Sequence, residues 1–103
     1  MNLTQEEFDN AEKIMKATLK LNLNDIERHL NEAVASFKFN LDLNDIDDRY
    51  KVYTFLDRIS TLFLNMMLNG DKYMLGNKGE EKAQEGRLVI SKIFKNFRED
   101  GKI

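Results

Sequence analysis

Apolar residues recur at three- and four-residue intervals in four stretches of this chain, and each stretch opens on a helix-starting signal. The first opens at Thr4 with Glu7 three residues on, the pattern of a capping box. Leu3 and Phe8 hold the flanking staple positions, and Ala11, Ile14, Met15 and Leu19 continue the face, predicting a helix over 5–20. The second opens at Asn24, with Asp25 and Glu27 where the helix dipole favours negative charge. Its face of Ile26, Leu30, Ala33, Val34 and Phe37 predicts a helix over 25–38. The third opens at Asn44, carries Asp45, Asp47 and Asp48 in its first turn, and runs over 45–68 to a stop at Asn69-Gly70.

The segment 71–79 holds Gly76 and Gly79 and reads as a loop that contains Tyr73, Met74 and Leu75. The fourth helix is expected over 80–98, with Glu80 and Glu81 at its start, Arg98 near its end, and Ala83, Ile90, Ile93, Phe94 and Phe97 inward. The first two connections are short, so consecutive helices are expected to be neighbours. The fold expected is an all-α, antiparallel four-helix bundle, a single domain over 1–103. Its core should hold Phe8, Met15, Leu30, Phe37, Tyr53, Leu56, Ile59, Phe63, Met67, Ile90, Phe94 and Phe97.

Two features stand out from this pattern. Leu21-Asn22-Leu23-Asn24-Asp25-Ile26 and Leu41-Asp42-Leu43-Asn44-Asp45-Ile46 match at an offset of 20 residues, which reads as one helix-starting device used twice. The third helix also has too much apolar surface. At about 100° per residue, Lys51, Thr54, Asp57, Arg58, Thr61 and Asn65 fill only about 120° of its circumference. Val52, Phe55, Ile59, Leu62 and Met66 form one apolar flank. Ile46, Tyr50, Tyr53 and Leu64 form the other, with Leu56, Phe63 and Met67 between. A surface helix needs a stripe of only about 100–140°, so part of this helix is expected to meet either all three neighbours or another chain.

Composition narrows the chemistry. There is no proline, which suits long helices, and no cysteine, which removes disulfides, thiolate metal sites and thiol catalysis. His29 is the single histidine and has no second nitrogen or sulfur ligand to share a zinc ion with, so it is expected at a helix surface or edge. Asp45, Asp47 and Asp48 lack the glycine and glutamate spacing of a calcium loop. Gly76-Asn77-Lys78-Gly79 lacks the spacing of a phosphate loop and reads as a connection. Ser36, Ser60 and Ser91 fall inside helices, away from any nucleophile elbow. No catalytic residue, metal site or cofactor is therefore expected. The first residues lack the basic and apolar regions of a signal peptide and no stretch is long enough to span a membrane, which makes the cytoplasm the expected location.

Net charge is −2, unevenly placed: residues 1–50 carry 6 basic and 11 acidic side chains, residues 51–103 carry 10 and 7. Arg87, Lys92, Lys95, Arg98 and Lys102 form a basic stripe that could meet nucleic acid phosphates. Against that, the chain is acidic overall, and a helix-turn-helix built from the second and third helices would aim Asp45, Asp47 and Asp48 at DNA. The apolar surplus favours a protein partner instead. The expected contact residues are Val52, Phe55, Ile59, Leu62 and Met66 of the third helix, Tyr73, Met74 and Leu75 of the loop, and Leu88, which lies opposite Ile90. The leading expectation is a non-enzymatic module that occludes or bridges a protein partner, an inhibitor or adaptor of a phage or other mobile element, as a homodimer. Nucleic-acid binding through the stripe, and a bacteriocin-immunity-like bundle, are the alternatives.

Overall fold

The computed structural model describes residues 3–69 and 76–101, which form four helices: α1 (Gln5–Thr18), α2 (Leu23–Phe39), α3 (Ile46–Leu68) and α4 (Gly76–Gly101). The packing is that of an all-α four-helix bundle. Among the described residues, no helix is long and apolar enough to cross a membrane.

The capping box at the start of α1 forms in full. The Thr4 hydroxyl accepts from the Glu7 backbone N–H at 3.1 Å, and the Thr4 N–H donates to Glu7 Oε1 at 2.8 Å. Leu3 is buried and Phe8 packs half-buried against the core. The helix ends two residues earlier than expected. The N–H groups of Lys20 and Leu21 donate to the carbonyls of Ala17 and Thr18, so a tight turn replaces the last helical residues. Thr18 is fully buried there, its hydroxyl donating to the Ile14 carbonyl at 2.7 Å.

The paired segments do not start their helices in the same register. α2 begins at Leu23 behind Asn22, which makes no side-chain capping bond, so Ile26 falls in the first turn and is fully buried. The matching start in the second copy would be Leu43, but α3 begins three residues later at Ile46, behind Asp45. Carboxylates account for the delay. Asp42 accepts the Asn44 N–H at 3.0 Å, Asp48 reaches back to the Asp42 N–H at 2.8 Å, and Asp45 caps the Asp47 N–H at 2.9 Å. These bonds hold 42–45 as a turn and leave Ile46 outward, whereas its counterpart Ile26 is inside.

α4 begins at Gly76, four residues before the expected Glu80, and takes in the Gly76-Asn77-Lys78-Gly79 stretch, whose glycines predict a loop. Glycine is a poor helix former but not an excluded one, and Gly79 is buried in the fold, where packing supplies what propensity withholds.

Around the bundle the order is α1, α3, α4, α2. α3 and α4 share the largest contact, α1 packs on α3 and α2 on α4, while α2 and α3, consecutive in the chain, touch least. The expectation that consecutive helices are neighbours therefore fails between α2 and α3. The connection 40–45 can extend to roughly 20 Å, which suffices to cross the diagonal of a bundle whose neighbours stand about 8–10 Å apart. Chain direction still alternates. Tyr53 meets Phe94 and Phe97, and Ser60 meets Arg87, so α3 and α4 are antiparallel. Lys51 meets Glu7, and Lys82, placed opposite the end of α3, donates to the Leu19 carbonyl, so α1 runs with α3.

One core cluster joins the four helices. Of the expected core, Met15, Leu30, Leu56, Ile59, Phe63, Ile90 and Phe97 are buried, while Phe8, Phe37, Tyr53, Met67 and Phe94 pack against them partly exposed. Phe37 stacks on fully buried Phe55, ring centroids 3.8 Å apart and planes 2° from parallel, which closes the α2–α3 diagonal.

Candidate functional site

The surplus of α3 resolves in favour of the opposite flank from the one expected to meet a partner. Val52, Phe55 and Ile59 are fully buried, Met66 is nearly so, and Leu62 packs half-buried against the core. They are enclosed by the neighbouring helices and offer a partner almost nothing. The outward flank is the other one. Ile46 is 65% exposed, Tyr50 55% and Leu68 72%, with Leu64 half-buried between them. At 3.6 residues per turn these four positions lie on one side of α3, and the helix is about 34 Å long. A signal for this was present in the chain: Asp57 lies eleven residues after Ile46, within about 20° of it, and an aspartate in the middle of a flank marks it as the wet one.

Single exposed apolar side chains are ordinary, but a row along one helix face is informative. Asp57 is exposed within the row, and Thr54 and Thr61 border it half-buried, so the strip is apolar towards both ends and acidic at its centre. Phe39, the last residue of α2, is 86% exposed and adds a further unburied aromatic ring. Tyr73, Met74 and Leu75, also expected at an interface, lie outside the described residues.

The basic stripe of α4 is only partly assembled. Lys92, Lys95 and Arg98 are exposed, with Leu88 about half exposed on the same side. Arg87 departs from the stripe: it is half-buried, and its Nε donates to the Ser60 hydroxyl at 3.3 Å, tying α4 to α3. Lys92 stands 3.5 Å from Glu27, both well exposed, a pair of little energetic weight. Lys102 lies outside the described residues.

One ion pair is substantially buried. Lys51 and Glu7 pair at 3.2 Å, both about three-quarters buried. Burial raises the Glu7 pKa, but the Thr4 N–H and the Lys51 ammonium, as hydrogen-bond donor and as charge, outweigh it and leave the carboxyl below its ordinary value. His29 is half-buried at the edge of α2, its Nε2 buried without a partner among the described residues. Among the described residues, no three histidine or acidic side chains gather as a metal site would require.

The class that fold and surface define is an antiparallel-threaded four-helix bundle with an outward apolar strip on α3 and a basic face on α4. Comparison with protein-family models, with curated proteins and with solved structures finds no match.

Proposed function

We propose that this protein is a non-enzymatic interaction module whose outward α3 strip binds a helix of a different protein, occluding or bridging that partner. The observation that carries the reading is the row of Ile46, Tyr50, Leu64 and Leu68 on the solvent side of a helix whose other flank is already satisfied. Helix-on-helix docking uses anchors at such spacing. The acidic centre specifies the partner further: an apolar helix face with a cation positioned to meet Asp57. A homodimer through this strip is disfavoured, because a two-fold contact centred on it sets Asp57 against its own copy, and like charges brought together in a drying interface are costly. An inhibitor or adaptor of a mobile element is one setting for such a module.

Photo-crosslinking tests the reading. A crosslinking side chain at position 50 or 68 should give an adduct with one defined protein in the source cell, and one at exposed Glu81 should not. Adducts of the chain with itself would move the reading to a homodimer. Absence of any strip-specific adduct would remove it.

The exposed cations Lys92, Lys95 and Arg98 support a second reading, nucleic-acid binding by α4. Binding at about 50 mM salt that falls steeply as salt rises, and is weakened by Lys92→Glu with Lys95→Glu, would favour it. No binding at that salt would exclude it.

A further inference from the structure

Phe97 in α4 carries a cation on each of two approaches. Nζ of Lys38, from the last turn of α2, lies 5.5 Å from the ring centroid, and Cζ of Arg49, from the start of α3, lies 5.6 Å away. Tyr53, one turn beyond Arg49, meets the same ring edge-on at 5.2 Å between centroids. Beside the ring opens a cleft of about 430 Å³ between the end of α2, the 40–45 connection and α4. Lys38, Arg49 and Phe97 line it together with Asn31, Asn44 and Asn96, the Asn31 amide also donating to the Glu27 carbonyl at 2.8 Å.

Among the described residues, the charges in this cleft are unmatched. Arg49 makes one long bond, Nη1 donating to the Leu43 carbonyl at 3.4 Å, while its Nη2 is buried with no partner among the described residues. The Tyr53 hydroxyl is buried in the same condition. The ion pairs of the described residues fall on other cations. The carboxylates of the adjoining connection, Asp42, Asp45 and Asp48, accept backbone N–H groups. Lys38 and Arg49 are half-buried against one ring and line one cleft, and an anion beside them would offset the cost of holding cations away from water without a counter-charge.

We propose that this cleft binds a phosphate monoester, with Arg49 and Lys38 neutralising the phosphate and the asparagine amides completing its hydrogen bonds. A guanidinium fork, an ammonium and the amides of Asn44 and Asn96 present more donors than the two oxygens of a carboxylate can accept, whereas a tetrahedral dianion has three terminal oxygens for them. The volume lies within the range of small-molecule sites and exceeds what phosphate alone requires, which leaves room for an organic group beside Phe97. The cleft shares no lining residue with the α3 strip.

Titration followed by amide NMR tests it, with sodium phosphate and phenyl phosphate as probes and sodium chloride at matched ionic strength as control. Saturable shifts of the side-chain amides of Asn31, Asn44 and Asn96 are expected with both phosphates. Lys38→Gln and Arg49→Gln should each weaken binding about tenfold or more, since each removes a charged hydrogen-bonding partner. Asn96→Ala, at an exposed position, should weaken it less with the helical circular dichroism unchanged, and decides the matter if Arg49→Gln fails to fold. Shifts that chloride reproduces, shifts that do not saturate, or affinities unmoved by Lys38→Gln and Asn96→Ala would each overturn the proposal.

Discussion

The Phe63 ring lies directly against the backbone of Gly86, so closely that a Cβ at that position would stand 2.5 Å from Cζ and 2.6 Å from Cε2 of the ring. A glycine inside a helix costs about 1 kcal/mol relative to alanine. Here its bare backbone lets α3 and α4, the most extensively packed pair, approach with a whole phenylalanine between them.

Gly86→Ala should therefore destabilise the protein even though it improves helix propensity. Phe63 is fully buried and can withdraw only by displacing its neighbours, so an overpacking cost of about 1–3 kcal/mol is expected to exceed the propensity gain. Urea denaturation should show a lower midpoint. In the double variant with Phe63→Leu the two effects should fall short of additivity, because the smaller side chain relieves the clash. An additive pair would mean that the close approach has no energetic weight.

The two flanks of α3 should respond oppositely to substitution. Phe55→Ala empties a fully buried site and is expected to cost about 3–5 kcal/mol. Ile46→Lys and Leu68→Lys, on the exposed flank, should change stability by no more than about 0.5 kcal/mol. Thermal unfolding of the three variants checks which flank faces inward.

The matching segments make a contrast in capping. Asp45→Ala removes an acceptor that holds the Asp47 N–H and should cost about 0.5–2 kcal/mol. Asn22→Ala removes no side-chain capping bond and should cost distinctly less. Equal losses in chemical denaturation would refute the register difference between the two helix starts.

Glu7 should make stability depend on acid pH. Its folded pKa lies below the ordinary 4.5, so its contribution is fully present above that pH and is lost as pH falls through the lowered folded value. The stability difference between the native protein and Glu7→Gln should accordingly be largest near neutrality and shrink below about pH 4. A pH-independent difference would show that the carboxylate charge is not what Lys51 and Thr4 stabilise.

The sequence by itself determined what is local. Four helices, the Thr4–Glu7 box, the acidic first turn of α3 and most of the inward positions follow from spacing and from side chains that bond to the backbone a few residues away. Tertiary structure decided the rest, because it depends on which surfaces meet. The periodicity of α3 marked two apolar flanks but not which one its neighbours would enclose, and only the ring order α1, α3, α4, α2 settles that. The start of α3 turned on a bond from Asp48 back to Asp42, six residues away, which a capping pattern does not contain. Lys38 and Arg49 come from two helices and Phe97 from a third, so no spacing within one helix could place both cations on one ring. Gly86 is a poor residue inside a helix by propensity, and only the Phe63 ring packed against it gives it a structural reason.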